Sequence, residues 1–427
     1  MDKKIKELQA FLDGAHSVYH AAAGLAKELE AAGYVRLQEQ QAWQLAPGGK
    51  YYLTRGGSAL AAFRIPEGEP TGFLMAAAHT DRPSFKMKEN GELTGKYTRL
   101  ATEKYGGMIL STWLDRPLSI AGRVLVETET GAQSRLVDID RDLLVIPNVA
   151  IHMNKKTNEG YAYNPAVDTL PLLGGETAAG KLQALLEEAA GGKILGHDLY
   201  LYVRENSRIC GLEEEYLCAQ ALDDLMCAWC CTRGFVESQT AGSVPVLCLF
   251  DGEEVGSASV QGAASDFLES TLERICCAMG WNKAQMLSQS FMISADNAHA
   301  QHPNHPELSD GTNAPVVNGG IVIKFNANLR YATDGVAAAL LRKVCQKADV
   351  PVQTYYNRAD LPGSTTLGGI SLSHVAVPTA DIGLAQLAMH SVWETAGVRD
   401  VLYLQDAMKV YFGSTLTQQA PGSYTIE

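Results

Sequence analysis

A short, wholly apolar run, Val244–Phe250, opens without a spacer onto Asp251-Gly252-Glu253-Glu254-Val255-Gly256. A run of that kind predicts a buried strand. Two adjacent glutamates at its mouth are costly beside a core unless they are paired, protonated or bound to a cation. The pattern asks for one carboxylate to hold a metal and one to move a proton. A solvated acidic turn accounts for most isolated Glu-Glu pairs. Recurrence changes the weighting here, because four other apolar runs in this chain also end in His or Asp.

From about residue 198 onward, apolar runs alternate with helical patterns. The sequence predicts a helix after Asp223, then the strand Val244–Phe250, a helix over 265–279 and strands at Phe291–Ala295 and Ile321–Phe325. A helix over 334–347 and a strand near 376–382 follow. Such alternation specifies an α/β fold with a twisted, mainly parallel sheet and helices on its faces. The first eighty residues predict one long helix, a short strand region and a buried strand over 72–78. Between about 90 and 200 the texture becomes alternating and β-branched, as in RVLVETETGAQSRLVDID, which suits an antiparallel sheet. The expected organisation is a discontinuous domain, 1–90 with 205–427, interrupted by a β-rich domain at 91–204.

Apolar residues make up 46% of the chain and charged residues only 19%, which excludes a disordered protein. The formal charge of −13 argues against nucleic acid or an anionic membrane as partner. No apolar run approaches the ~18 residues of a membrane span, and the charged, helical N-terminus lacks a signal-peptide core. Most of the nine cysteines lie within apolar segments, including the Cys227-x-x-Cys230 pair. Buried free thiols in a reducing cytosol are the expectation.

The remaining strand ends carry chemistry of their own. The run over 72–78 leads into His79-Thr80-Asp81, a spacing that suits a metal-binding imidazole with a carboxylate to fix its tautomer. A plain strand end is the bland reading of that triplet. Asp223 and Asp224 stand where an apolar helix begins, and one of them could simply cap it. Ser294-Ala295-Asp296 closes another strand, followed by His299, His302 and His305; Pro303 and Pro306 preclude a helix that would align that cluster. Ala388-Met389-His390 follows the last strand region. In open α/β sheets the binding crevice lies beyond the carboxyl ends of the strands. His79, Asp223, Glu254, Asp296 and His390 supply carboxylates and imidazoles enough for two divalent ions with one bridging carboxylate, at the ~3.5–4 Å separation of hydrolytic two-metal sites. Mixed N/O ligation without thiolate suits zinc, with cobalt or manganese as substitutes. Such a centre lowers the pKa of water and polarises a carbonyl, so the expected reaction is amide hydrolysis.

The set AAAHTDRP, STWLDRPLSIAGRV, ALDDLM, LFDGEEVGSASVQGA, ISADNAHAQHP, KFNANLRYATDG and DIGLAQLAMHS resembles the aspartyl aminopeptidases, dinuclear zinc exopeptidases, from about residue 76 to 393. The resemblance implies an aminopeptidase domain interrupted by a β-rich dimerisation domain, with dimers assembled into a tetrahedral dodecamer. It implies His79 and Asp296 as terminal ligands on opposite sides of the centre, Asp223 as the bridge, and Glu254 and His390 as further ligands. Glu253 then matches the general base and Asp81 the support of His79. His152 resembles a histidine sent into a neighbouring subunit's active site to hold the substrate carbonyl; alone, it would read as a core residue. Lys324 resembles the contact to an acidic substrate side chain, and Gly363 and Ser364 lie in a matching cleft loop. The chain departs from the family at Asp224, where Asn is usual, and at Arg82, Pro117 and Gly252. None of these removes an implied ligand or base.

The expected function is therefore a cytoplasmic aminopeptidase that removes an N-terminal Asp or Glu from peptides. The alternatives are the same centre with broad or neutral preference, a deacylase of small amides, and a non-catalytic assembly or peptide-binding protein.

Overall fold

The computed structural model of the chain describes residues 2–361, 363, 365–420 and 422–427. Its frame is a nine-stranded sheet whose centre is the fully buried strand Phe73–His79. Val244–Phe250 and Phe291–Ala295 flank it in parallel, and Thr379–Gly383 runs parallel to the latter. Antiparallel strands appear only towards the edges, with Ala59–Arg64 on one side and Ile321–Phe325 on the other. The observed fold is thus mixed α/β with a mostly parallel sheet, as the alternation of runs implies.

Strand periodicity divides the core cleanly. Leu74, Ala76 and Ala78 enter one apolar cluster, while Phe73, Met75 and Ala77 enter another on the opposite face. That is why these strands read as continuous apolar runs: both faces are covered. The first face is covered by Leu222–Glu237 and Val398–Phe412 among other helices, the second by Phe267–Met279. Leu222–Glu237 is apolar on nearly every side because it lies between the sheet and Val398–Phe412. Gly234 permits that approach: a Cβ there would stand 2.5 Å from Met408 Cβ and 2.8 Å from the Lys409 nitrogen. Gly234→Ala should therefore destabilise the fold by about 1–3 kcal/mol. Unchanged denaturant midpoints would show that the two helices can separate freely.

The single long N-terminal helix expected from sequence is two helices, Lys3–Leu12 and Val18–Ala31. The break is local chemistry, since Ser17 adopts extended backbone and its hydroxyl accepts the His20 N–H, starting a new helix. The β-branched texture forms a six-stranded antiparallel sheet from Ser84–Leu93 through Ile194–Val203. It has its own core, including Phe85, Ile120 and Leu199. A third, five-stranded sheet carries Tyr216–Ala219, Glu394–Gly397 and Ala385–Leu387. The cysteines are free thiols, and those at 227 and 230 are buried in one helix, where Cys227 donates to Asn297 Oδ1. Among the described residues, no helix is long and apolar enough to cross a membrane.

Candidate metal centre

Parallel register brings the site together. Phe250 is opposite His79, and Ser294 is opposite Ala77, so Asp251 and Asp296 emerge at the same sheet edge as His79. Asp223 and His390 reach this edge from a different support. Asp223 follows Tyr216–Ala219 and His390 follows Ala385–Leu387, both strands of the five-stranded sheet. The expectation that every implied ligand closes a strand of one sheet is corrected to this extent: two sheets converge on the centre. Asp223 and Asp224 have the non-helical backbone angles expected where a helix begins, but neither side chain bonds to a first-turn N–H, so neither acts as a side-chain cap.

The geometry around Asp223 is that of a shared carboxylate. Its Oδ1 lies 3.5 Å from His79 Nε2 and its Oδ2 lies 3.5 Å from His390 Nε2. His390 Nε2 is also 3.4 Å from Glu254 Oε2. Ligand atoms of His79, Asp223 and Glu254 lie within 4.8 Å of one another, as do those of Asp223, Asp224 and Asp296. Asp223 Oδ1, Asp224 Oδ1 and Glu254 Oε1 are buried without a hydrogen-bond partner. Oxygens in that condition are expensive in a core and suit a cation. The donor set, carboxylate and imidazole without thiolate, fits zinc.

Electrostatics report the same demand for positive charge. Burial, reinforced by Asp223 and Asp81, pushes Glu254 well above the usual carboxylate range. Burial likewise raises Glu253 to about 8, with Asp296, Asp223 and Asp81 adding to the effect against His79. Burial favours the neutral form of His79, but the facing carboxylates of Asp223 and Asp81 outweigh it and hold the pKa well above the ordinary imidazole value. Crowded carboxylates therefore retain protons that a metal ion would displace.

Each imidazole is held from behind. His79 Nδ1 is 3.3 Å from Asp81 Oδ1, and the two carboxylate oxygens of Asp81 accept the backbone N–H groups of Glu253 and Glu254 at 3.2 and 3.1 Å. His390 sits in the left-handed region at φ 66°, and Glu394 fixes it there by accepting its N–H at 2.8 Å. The other Glu394 oxygen accepts the N–H of Asp223 at 3.0 Å. Glu394 thus ties the shared carboxylate to His390. It opens the short strand Glu394–Gly397, and no motif in the sequence around it singles it out.

A cleft of about 410 Å³ opens above this centre, lined by Glu253, Glu254, Asp296, Lys324, Tyr331 and His390 among others. Lys324 belongs to strand Ile321–Phe325. It is buried, 3.7 Å from Asp296 Oδ2, and its ammonium lies over the Tyr331 ring. Thr365 and Thr366 line the cleft, whereas Gly363 packs against Asn357 and Asn326; Ser364 lies outside the described residues. His152 is neither in a strand nor in a core. It occupies an exposed turn and does not line this cleft. His302 and His305 are exposed, with their rings tilted against each other at 5.4 Å, and neither lines the cleft.

The chain matches the family described as aminopeptidase I zinc metalloprotease (M18) over residues 11–412. It is 40% identical over 431 residues to a probable M18 family aminopeptidase 2 of Clostridium novyi, covering 96% of this chain and 100% of that relative. It is 38% identical over 417 residues to the protein of the same name from Pseudomonas paraeruginosa, covering 95% and 97%. Among solved structures it resembles Ape4 in a cryo-EM structure of the Ape4 and Nbr1 complex, with TM-score 0.92, 35% identity and coverage of 96% and 85%. The S. cerevisiae mApe1 dodecamer gives TM-score 0.84, 26% identity and coverage of 96% and 96%. With the sheet edge, the convergent imidazoles and carboxylates, and relatives matched along their full length, this chain belongs to the M18 family and is a zinc aminopeptidase, a metalloprotease of the hydrolase class.

Proposed function

We propose that the cleft removes the N-terminal residue of peptides with a preference for Asp and Glu, using two zinc ions. The observation that carries this reading is Asp223, whose two oxygens face His79 and His390 from 3.5 Å each. In this reading His79, Asp223, Glu254, Asp296 and His390 would hold the ions, with Asp223 as the carboxylate that would be shared between them. Zinc bound there supplies a water of lowered pKa and a polarised substrate carbonyl. Glu253 faces the cleft, where it would accept a proton from the attacking water and return it to the departing amine. Asp81 holds His79 in the tautomer that leaves Nε2 free for the ion. His152 lies exposed on the β-rich unit, as a residue serving a neighbouring subunit's cleft must, and there it would hold the substrate carbonyl. The resemblance also gives Gly363 and Ser364 as substrate-binding residues, and Thr365 and Thr366 beyond them line the cleft.

Lys324 gives the acidic preference, since a buried ammonium in the cleft wall is matched by a carboxylate side chain. Lys324→Ala should raise KM for N-terminal Asp peptides about 10–100-fold, the worth of one hydrogen bond to a charged group. KM for N-terminal Leu peptides provides the baseline for any disturbance of Asp296. Equal rises for both substrates would remove Lys324 from the specificity role.

The unit 1–90 with 205–427 is taken as catalytic and 91–204 as the dimerisation unit of a tetrahedral, cytoplasmic homododecamer, the assembly size of the yeast neighbour. Exposed Val149, Ile151 and Met153, beside His152, offer apolar surface for such contacts. The test is a substrate profile across N-terminal residues, with zinc content and sedimentation measured on the same sample. Release of neutral residues faster than Asp would overturn the preference, and a sedimenting monomer would overturn the assembly.

A further inference from the structure

The six-stranded sheet meets the candidate centre of its own chain through segment 105–112, which begins at the end of strand Tyr97–Tyr105. The Tyr105 hydroxyl donates to Asp81 Oδ2 at 2.8 Å. Asp81 is the carboxylate that backs His79 and accepts the N–H groups of Glu253 and Glu254. Two residues on, the Gly107 carbonyl lies 2.5 Å from His390 Nδ1, so a proton there donates to it and leaves Nε2 facing Asp223 and Glu254. The contact continues along the backbone. Ile109 N–H bonds to the His390 carbonyl at 3.0 Å, and Thr112 Oγ1 accepts the Val392 N–H at 3.0 Å. Between them Gly106, at φ 76°, passes so close that a Cβ would stand 3.1 Å from Glu254 Cβ.

We infer that segment 105–112 is a positioning clamp for the metal centre, setting His79 through Asp81 and His390 directly, with Tyr105 as its positioning residue. The β-rich unit then has a role within its own chain, separate from any contact between subunits. The clamp fixes the ring orientation and tautomer of the two imidazoles, which lie on opposite oxygens of Asp223, from a support that carries neither of them. Outer partners of this kind typically govern metal affinity by about 10–100-fold. The inference rests on the proposed ligand set.

The test is zinc affinity by competition with a chromogenic chelator, read beside kcat, KM and oligomeric state for full-length protein. Tyr105→Phe removes one hydroxyl and should weaken zinc about 10–100-fold and lower kcat at subsaturating zinc, with excess zinc restoring much of it and KM moving little. Tyr200→Phe is the packing control, because its ring meets Tyr105 edge-on at 5.6 Å, and should keep wild-type zinc affinity. Gly106→Ala, which presses the segment off Glu254, should weaken zinc as Tyr105→Phe does and stands in if the latter misfolds. Zinc affinity within twofold of wild type in either folded variant overturns the clamp, as does equal weakening by Tyr200→Phe. Wild-type protein that binds no zinc at this centre would instead overturn the ligand set itself, so the two failures are distinguishable.

Discussion

Glu253→Gln should lower kcat by about 10²–10⁴-fold, the usual worth of a general base, while zinc stays bound. The substitution keeps the shape of the side chain and removes only its basicity. Glu253 lines the cleft and makes no salt bridge to His390, whereas Glu254 Oε2 lies 3.4 Å from that ring. Burial and the carboxylates of Asp296, Asp223 and Asp81 raise Glu253 to about 8 in the metal-free cluster. Cations among those carboxylates cancel the repulsion and favour ionised Glu253, which makes it a base near neutral pH. Glu254→Gln should behave differently and lose zinc, because its oxygen belongs to the group with His79 and Asp223. Turnover on an N-terminal Asp peptide, with elemental zinc analysis of each variant, separates the two. Near-normal turnover by Glu253→Gln would falsify the assignment of the base. Zinc loss by Glu253→Gln with retention by Glu254→Gln would reverse the pair.

That division of labour shows how far the residues alone could be read. Val244–Phe250, Phe291–Ala295 and Ile321–Phe325 stand where the apolar runs place them, because strands covered on both faces leave an unambiguous signature. His79 and Asp296 were legible for the same reason: each ends such a run. Asp223 and His390 come from short strands of a second sheet, where run length carries little information, and their family resemblance was the stronger guide. The break between the first two helices turned on a single hydroxyl at Ser17. Tyr105 and Glu394 were not legible at all. Tyr105 bonds to Asp81 and Glu394 to Asp223 at sequence separations of 24 and 171, and no spacing within one segment encodes those two contacts. The turn that exposes His152 was hidden by apolar neighbours, which turn out to be exposed themselves.

Stripping the metal should make the protein lose stability as pH rises from 5 to 8, and zinc should stabilise it most at the top of that range. The sign follows from which state binds more protons. Burial, with nearby carboxylates, raises Glu253 to about 8, Glu394 to about 8 and Asp251 to about 6 in the folded, metal-free chain. Glu254 and Asp224 are raised as well, again first by burial. Unfolded, these acids have already ionised by pH 5. The folded state therefore holds the extra protons, so the stability these acids contribute is fully present below their unfolded pKa values and is lost as pH climbs through the folded ones. His79 acts in the same direction, since its folded pKa is also raised. Asp81 and Asp223 are depressed despite burial, through their partnership with the histidines, and their opposing contribution falls below pH 4, outside the window. Each extra proton held by the folded state makes the loss about 1.4 kcal/mol per pH unit. Zinc replaces those protons, so its binding strengthens as they leave and adds about 4 kcal/mol at a thousandfold excess over Kd. Unfolding midpoints of chelated and zinc-loaded protein at pH 5.5 and 8 should therefore diverge with rising pH. A gap that stayed constant would mean that zinc displaces no protons, and the buried carboxylates would then not be its ligands.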